Sequence, residues 1–321
     1  MEKVYLPTEF IEKYKTLLGE EDAHAFFESC KTRLTKSLII NILKTKDVSF
    51  LKEQKIDLDK VKYLDNAYFI KSIVSGLGNT IEQNIGLFQM QEISSMLPAF
   101  VLDPKETDIV LDMTAAPGNK TGILCQIMNN KGLIIANDID KARLKTLKFT
   151  IKRLGVINTI ITCRDGTKLN FNYKFDKVLL DAPCSCEGMI RKKPDSLKSW
   201  SYREVNSKSE LQKKLIVNAF SLLKKGGILV YSTCTLSPEE NEEVVDYLLK
   251  KEKTSSIQEI IIPGLNYDYG LTKYKHKSFD DSLKKALRIW PHKSDIEGFF
   301  ICKIRKELWQ KNLMKRQEEN L

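Results

Sequence analysis

The sequence lacks the long hydrophobic runs of membrane proteins: its longest, such as Leu38 to Leu43, have the length of a strand, against the roughly 20 residues that a bilayer requires. It opens without a basic-then-apolar leader, and its seven cysteines are an odd number, so neither secretion nor a disulfide framework is indicated. Internal repeats and low-complexity tracts are also missing from the sequence. We therefore expect a soluble, cytoplasmic protein with reduced thiols.

The composition is that of an ordinary globular protein. The chain has 321 residues, of which 42% are hydrophobic and 29% charged, and this length suggests about two domains. The sequence does not indicate an oligomeric state, and a monomer is the default expectation. Lysine and arginine total 52 against 42 aspartates and glutamates, which leaves a net charge of +10. A polyanion is the first partner that such a charge suggests, although an unspecialised basic surface has the same signature.

The first part of the chain, residues 1 to about 80, is predicted to be a small α+β unit. Apolar residues recur at helical spacing from Phe10 to Cys30, and Gly19 divides this segment into two short helices. The apolar run from Ser37 to Leu43 and alternating segments between Val61 and Ile73 have strand patterns. Gln89 to Phe100 is then predicted to be a helix, with its end marked by Pro98 and the turn at Asp103.

From residue 108 onward, predicted strands and helices alternate. The strands are 108–113, 132–138, 159–163, 175–181, 228–233, 287–290 and 299–304, and the main helices are 120–128, 141–154, 209–223 and 238–250. Apolar strands separated by helices predict a mostly parallel sheet covered on both faces, so residues 81–306 should form a doubly wound, Rossmann-like α/β domain. Residues 307–321 form a basic tail with Trp309, which is more typical of a solvated terminal helix than of an RNA contact.

A loop of small residues, Ala115 to Thr121, follows the first strand of this domain and precedes a helix. Ligands of open α/β sheets bind at this position. Ala115, Ala116 and Gly118 allow a close approach of the backbone to a ligand, and Asn119 tolerates a left-handed conformation. The loop matches neither the dinucleotide nor the nucleoside triphosphate motif.

Acidic residues stand at the ends of three consecutive predicted strands: Asp112, Asp138 and Asp165. An acid after the second strand can accept hydrogen bonds from a ribose diol, and one after the third can meet the amino group of adenine. A single acid of this kind is more often a cap or a turn residue, but three in register favour a nucleoside ligand without phosphates. S-adenosylmethionine is the common ligand of this kind.

Two thiols, Cys184 and Cys234, follow the fourth and fifth strands, which are neighbours in the usual order of this fold. Addition of a thiolate to carbon 6 of cytosine makes carbon 5 nucleophilic towards a methyl group, and a second group can assist release of the product. Asp181 is positioned to hydrogen-bond the ring. The simpler interpretation is that both thiols are small buried hydrophobic residues.

Two further interpretations concern the surroundings of these thiols. A zinc site built from Cys184, Cys186, Cys234 and either His292 or Cys302 does not match the familiar ligand spacings, so we expect no metal. Ser237 to Glu240 has the pattern of a capping box with proline at the first helical position, and this predicted helix terminus would stabilise a nearby thiolate.

Together these motifs resemble the Sun/RsmB/NSUN family of RNA cytosine-5 methyltransferases, most closely its archaeal members. The resemblance is carried by AAPGNKT at Ala115 to Thr121, Asp138, Asp165, DAPCS at Asp181 to Ser185 and STCT at Ser232 to Thr235. GLFQMQEISSMLP at 86–98, RIWPH at 288–292 and GFF at 298–300 extend the likeness to nearly the whole chain.

The resemblance implies S-adenosylmethionine as cofactor and RNA as partner, tRNA rather than rRNA. It implies that Cys234 is the nucleophile and that Cys184 assists product release, a division that the chemistry alone leaves open. Cofactor contacts are implied for Ala115, Ala116, Pro117, Gly118, Asn119, Lys120, Thr121, Asp138, Arg143, Asp165 and Asp181. Lys120 is implied to lie near the methionine end or the base.

This sequence departs from the family pattern at several positions. Thr114 stands where a cysteine usually precedes the loop, Asn119 and Cys186 replace glycines, and Ile39-Ile40-Asn41 replaces an Arg-x-Asn triplet. Two other functions stay open at this point: a methyltransferase for DNA or a small molecule, and a non-catalytic RNA-binding factor. The basic charge argues against the first, and the intact pair of thiols with Asp181 argues against the second.

Overall fold

The computed structural model describes residues 4–71 and 76–308. The strands of its larger sheet are β5 Ile109–Asp112, β6 Leu133–Asn137, β7 Thr159–Thr162, β8 Phe175–Asp181, β9 Leu223–Thr233, β10 Ser255–Gln258, β11 Asp268–Tyr269, β14 Leu287–Ile289 and β15 Phe299–Lys306. Their order in the sheet is β11-β14-β15-β9-β8-β5-β6-β7, and β10 pairs with β15. Strands β5 to β9 are parallel to one another, whereas β10, β11, β14 and β15 make antiparallel pairs. This confirms the Rossmann-like α/β prediction.

Helices cover both faces of the large sheet. They are α4 Ile93–Leu102, α5 Asn119–Ile127, α6 Lys141–Leu154, α7 Tyr202–Ser221 and α8 Glu242–Lys251. The short helix α9, Pro291–Ser294, follows β14. Two large clusters of buried apolar side chains lie against the sheet, one containing Phe175 and Phe220, the other Leu124 and Val230. A small hairpin of β12 Lys273–Tyr274 and β13 Lys277–Ser278 lies apart from the sheet.

Local sequence explains these boundaries. Val178, Leu179 and Leu180 are fully buried in β8, as expected of a central strand covered on both faces. Helix α6 begins after Asp140, whose carboxylate accepts hydrogen bonds from the amides of Ala142 and Arg143. Gly155 adopts a left-handed conformation just beyond the end of α6.

The N-terminal unit contains helix α1 and a four-stranded antiparallel sheet of order β2-β3-β1-β4. Its elements are α1 Thr8–Cys30, β1 Ser37–Ile40, α2 Ser49–Glu53, β2 Leu58–Lys60, β3 Ala67–Ile70, α3 Ile81–Asn84 and β4 Phe88–Met90. Gly19 interrupts α1 with φ 78° and ψ 170°, as the sequence predicted. The sheet includes β4 and so extends past the predicted end of the unit at about residue 80.

The predicted helix Gln89 to Phe100 is wrong at its start, whereas its end falls at the predicted turn at Asp103. Gln89 belongs to β4 and pairs with Ile39, because this segment completes the small sheet. Helix α4 begins only at Ile93 and continues through Pro98 to Leu102, where Asp103 adopts a left-handed conformation. Proline therefore does not end this helix.

Helix α1 packs against the α/β domain through an aromatic cluster. Phe10, Tyr14 and Phe26 are fully buried and contact Trp200 and Trp290 of the larger domain. The N-terminal unit is thus joined to the α/β domain by a continuous core. Within 4–71 and 76–308, none of the helices combines the length and the apolar character that crossing a membrane requires. Of the predicted basic tail, residues 309–321 lie outside the described residues.

Candidate active site

The carboxyl ends of the parallel strands bring the predicted site residues to one edge of the sheet. Asp112, at the end of β5, pairs with Leu179 of β8 and Ala136 of β6. Asp181, at the end of β8, pairs with Ser232 of β9. From β5 the chain continues to β6 and β7 on one side, whereas β8 and β9 lie on the other side of β5. Ligands of open α/β sheets bind where the strand order reverses in this way.

The loop Ala115 to Thr121 makes a tight turn between β5 and α5. The bond between Ala116 and Pro117 is cis, and Gly118 has a φ of 102°. A Cβ atom on Gly118 would lie 2.7 Å from Cδ1 of Leu147, so this position requires glycine both for its conformation and for space. Asn119, which could tolerate a left-handed conformation, is the first residue of α5, and the left-handed residue of the loop is Gly118.

Asp112 is buried beneath this loop and accepts a hydrogen bond from the hydroxyl of Thr121 at 2.6 Å. Burial raises the pKa of its carboxyl to about 7, against the opposing effects of this hydrogen bond and of the Lys120 charge. Asp112 and Thr121 therefore hold the loop against the end of β5.

Asp138 and Arg143 also contact the loop. Asp138 is buried at the end of β6 and accepts hydrogen bonds from the amides of Ala116 at 3.2 Å and Asp140 at 3.0 Å. Arg143 lies 3.5 Å from the Asp138 carboxylate and donates to the carbonyl oxygen of Ala116. These contacts bring Ala116, Asp138 and Arg143 together.

Asp165 lies after β7, and its carboxylate accepts hydrogen bonds from the amide and hydroxyl of Thr167. These two bonds lower the pKa of Asp165. β7 is the neighbour of β6, so Asp165 occupies the same edge as Asp138. The contacts described for Asp165 are local to its turn.

Lys120 connects the loop to the end of β8. Its Nζ lies 2.6 Å from Oδ2 of Asp181, and the hydroxyl of Ser232 donates to Oδ1 of Asp181 at 2.8 Å. Burial lowers the pKa of Lys120, but the charge of Asp181 outweighs it and the net shift is upward. The ion pair of Lys120 and Asp181 therefore lies between the loop of Ala115 to Thr121 and the two thiols.

The two predicted catalytic thiols are in direct contact, with 3.3 Å between the sulfurs of Cys184 and Cys234. The sulfur of Cys186 joins them, and all three Sγ atoms lie within 4.8 Å of one another. Hydrogen bonding among the three thiols lowers the pKa of Cys186 and raises that of Cys184. For Cys234, the hydrogen bond from Cys184 lowers the pKa, but the contact with Cys186 and burial outweigh it.

Cys186 was not among the predicted site residues. It has a φ of 59°, in the left-handed region that favours glycine, and this turn directs its sulfur back to the other two. The Cys-x-Cys spacing gave the only sequence signal. His292 and Cys302, the other zinc ligands considered, do not join this group within the described residues: His292 packs against Phe26 and Trp290, and Cys302 is buried in β15.

The predicted capping box after Cys234 does not form. Helix α8 begins at Glu242, and the polar residues before it bind elsewhere. The hydroxyl of Ser237 donates to Glu187 at 2.7 Å and accepts from Lys13 at 2.5 Å, while Glu240 accepts from the amide of Ser185 at 3.1 Å. A helix N-terminus therefore does not act on the Cys234 thiolate.

Glu187 is a buried acid that sequence reasoning missed. Its carboxylate accepts hydrogen bonds from the hydroxyl of Tyr14 at 2.5 Å and the indole of Trp200 at 2.6 Å. It also accepts from the amide of Leu236 at 3.2 Å and from Thr235 at 2.8 Å. Glu187 thus ties helix α1 to both segments that carry the catalytic thiols. Its only sequence signal is an acid directly after the second cysteine of a Cys-x-Cys pair.

Comparisons with known proteins agree with this geometry. The family described as 16S rRNA methyltransferase RsmB/F matches residues 99–305, and the N-terminal domain of 16S rRNA methyltransferase RsmF matches residues 6–93. A tRNA (cytosine(49)-C(5))-methyltransferase of Pyrococcus abyssi is 41% identical over 92% of this chain and 95% of its own length. The ribosomal RNA small subunit methyltransferase F of Vibrio parahaemolyticus is 39% identical over 94% of this chain but 64% of its own.

Solved structures give the same result. A methyltransferase homologue from Pyrococcus horikoshii is 33% identical, with a TM-score of 0.84 over 94% of this chain and 96% of its own. The structure of NSun6 from Pyrococcus horikoshii with SFG is 26% identical, with a TM-score of 0.82 over 94% and 98% of the two chains. The chain therefore belongs to the Sun/RsmB/NSUN family and is an S-adenosylmethionine-dependent RNA cytosine-5 methyltransferase.

Proposed function

We propose that this enzyme methylates carbon 5 of a cytidine in tRNA through a covalent bond between Cys234 and carbon 6 of the base. The observation that carries the proposal is the 3.3 Å contact between the sulfurs of Cys184 and Cys234, beside the ion pair of Lys120 and Asp181. A binding protein has no need for two thiols in contact at the ligand edge of the sheet.

The residues at this edge fit the methyl donor. The loop of Ala115 to Thr121 presents small side chains, and Asp138 and Asp165 stand after adjacent strands, where a ribose and an adenine would meet them. Arg143, held by Ala116 and Asp138, completes this side of the site. The bound cofactor supplies an electrophilic methyl group.

In the proposed reaction, the thiolate of Cys234 adds to carbon 6 and makes carbon 5 nucleophilic. Asp181 accepts hydrogen bonds from Lys120 and Ser232, and these bonds hold its carboxylate beside the thiols. From there it hydrogen-bonds the cytosine ring and stabilises the adduct as it forms. After methyl transfer Cys184, as a thiolate, takes the proton from carbon 5; the electron pair of the broken C–H bond restores the double bond between carbons 5 and 6 and expels the Cys234 thiolate. Cys184, in contact with Cys234, assists this release.

Two observations bear on the RNA. The relative named for tRNA matches this chain along 95% of its own length, which supports tRNA as the substrate. The match of residues 6–93 to the RsmF N-terminal domain makes rRNA the second candidate. Either substrate must present an unstacked cytidine, and binding through lysine and arginine should weaken as salt rises.

Mass spectrometry of nucleosides tests the reaction. Unmodified tRNA and rRNA are incubated with S-adenosylmethionine and the native protein, Cys234→Ala or, as a control, Cys163→Ala, which removes an exposed thiol. We expect 5-methylcytidine in the tRNA with the native and control proteins and none with Cys234→Ala. Methylation confined to rRNA would show that rRNA, not tRNA, is the substrate. Methylation by Cys234→Ala would exclude Cys234 as the nucleophile.

The roles of the two thiols can be separated on a denaturing gel. Cys184→Ala should accumulate a covalent complex with RNA, because the adduct forms but is released slowly, whereas Cys234→Ala should form none. The opposite pattern would exchange the two roles. If neither variant formed a complex, the proposed assignment would lose its support.

A further inference from the structure

Three thiols, not two, meet at the catalytic end of the sheet. The sulfurs of Cys184, Cys186 and Cys234 are within 4.8 Å of one another, and within residues 4–71 and 76–308 they form the one such group of three potential metal ligands. The proposed reaction uses Cys184 and Cys234 and leaves Cys186 without a role.

We propose that Cys184, Cys186 and Cys234 form a site for a thiophilic cation such as Zn²⁺, and that the bound ion blocks methylation by occupying the catalytic thiols. Zinc binds thiolate sulfur at about 2.3 Å with tetrahedral geometry, which places the sulfurs about 3.8 Å apart. In the structure the sulfurs of Cys184 and Cys234 are 3.3 Å apart and all three sulfurs lie within 4.8 Å of one another, so small adjustments would reach this separation. Three protein ligands leave a fourth position for water, and the ion is an inhibitor rather than a cofactor.

The segment that carries Cys186 is held in place from both sides. The residue before it, Ser185, donates both its amide and its hydroxyl to Glu240. The residue after it, Glu187, is fully buried among donors from α1 and from the segment after β9. The three sulfurs are therefore positioned before an ion arrives, which reduces the ordering cost of binding.

Access and charge also suit a cation. Cys186 and Cys234 are partly exposed, so an ion can reach the cluster from solvent. Three thiolates and a divalent ion carry a net charge of −1, and the adjacent ion pair of Lys120 and Asp181 adds no net charge to the site. Oxidation by a peroxide would instead join two of these sulfurs and leave the third free, so the number of protected thiols distinguishes the two chemistries.

Direct binding to the full-length protein tests the site. The protein is kept reduced with a phosphine and titrated with Cd²⁺, whose thiolate complexes absorb in the ultraviolet, and Zn²⁺ is then added as a competitor. We expect one equivalent of Cd²⁺, displaced by Zn²⁺, and protection of Cys184, Cys186 and Cys234 from alkylation while the exposed Cys163 reacts. Protection of fewer than three of these thiols would overturn the proposal.

Cys186→Gly is the decisive variant, because glycine adopts the left-handed conformation of this position without strain. Loss of a residue that only orients a ligand weakens metal binding about 10–100-fold, so loss of a ligand should weaken Cd²⁺ binding at least ~10-fold. Methylation in the absence of metal should persist, because Cys184 and Cys234 are retained; since Cys186 contacts both thiols, the effect of metal is expressed relative to the metal-free rate of each protein. Cys163→Ser, the matched control, should retain both properties.

The effect on activity separates this proposal from the proposed reaction. Zn²⁺ should inhibit the native enzyme, a chelator should restore methylation, and Cys186→Gly should require at least ~10-fold more Zn²⁺ for the same inhibition. Equal sensitivity of the native protein and the variant would overturn the inhibitory site. If the proposed methylation mechanism failed, the native protein would lack the expected activity even without added metal. Its binding of Cd²⁺ would not be changed by that failure.

Discussion

Replacement of Lys13 by methionine should destabilise the protein by about 3–5 kcal/mol, the usual cost of removing one partner of a buried ion pair. The side chains of Lys13 and Glu187 are fully buried, with 3.8 Å between Nζ and Oε1. Lys13 also donates to Ser237 at 2.5 Å and to Glu239 at 2.9 Å. Methionine preserves much of the apolar stem, so the loss arises mainly from the charge that it leaves unpaired.

The loss should depend on pH. Burial raises the pKa of Glu187, but Lys13, the largest opposing influence, and several hydrogen bonds reverse this and lower it in the folded protein. A lowered pKa contributes stability that is present above the unfolded pKa and is lost as pH falls through the folded one. Without Lys13 the folded pKa of Glu187 moves upward. The difference between the two proteins should therefore be larger at about pH 8 than at about pH 5.

Urea denaturation of both proteins at the two pH values measures this difference. Lys31→Met is the control: Lys31 pairs with Glu28 at 2.5 Å, but both side chains are about half exposed, so the expected loss is below about 1 kcal/mol. Lys13→Met combined with Glu187→Gln should regain stability, because the buried charge is removed. A loss below about 1 kcal/mol for Lys13→Met, or one that is equal at both pH values, would refute the reasoning.

Three further predictions concern the site. Gly118→Ala should lower stability by about 1–3 kcal/mol and weaken binding of S-adenosylmethionine in calorimetry, because its φ is 102° and a Cβ would lie 2.7 Å from Leu147; unchanged values would contradict this. The pKa of Asp112 is raised to about 7, so its contribution to stability should fall from about pH 4 to about pH 7, and Asp112→Asn should flatten this part of a denaturation profile. Asp181→Asn should slow single-turnover methylation about 10²–10³-fold with unchanged circular dichroism, and a smaller effect would remove Asp181 from the chemistry.

The α/β domain could be predicted because its strands carry their own signal. Apolar runs such as Val178 to Leu180 are buried on both faces, and each ends in a polar residue at the edge where the ligand binds. The order of the strands then follows from the fold. Asp181 and Ser232, far apart in sequence, could therefore be expected to meet before their register was known.

The errors have a common physical cause, which is competition from partners distant in sequence. Ser237 and Glu240 have the local pattern of a helix cap, but they accept hydrogen bonds from Lys13 and Ser185 instead. Gln89 has a helical neighbourhood, but pairs within the small sheet. Local patterns do not contain these partners.

The third thiol was hidden for a different reason. A left-handed conformation is uncommon for a cysteine, so the Cys-x-Cys spacing alone was too weak a signal to predict that the sulfur of Cys186 turns towards Cys184 and Cys234. Glu187 was missed as well, because an isolated acid is more often exposed than buried. Only the three-dimensional structure shows that Cys186 and Glu187 belong to the site.

The seating of helix α1 on the catalytic domain has a consequence for biosynthesis. The bond from Tyr14 to Glu187 spans 173 residues of sequence, and that from Lys13 to Ser237 spans 224. At typical translation rates the ribosome needs roughly 10–45 seconds to make the intervening chain. During that time the apolar face of α1, with Phe10 and Phe26, has no native surface to cover it. Helix α1 is thus made well before the surface that covers it and is among the last elements to reach its place, and the thiol segments acquire their final support only then.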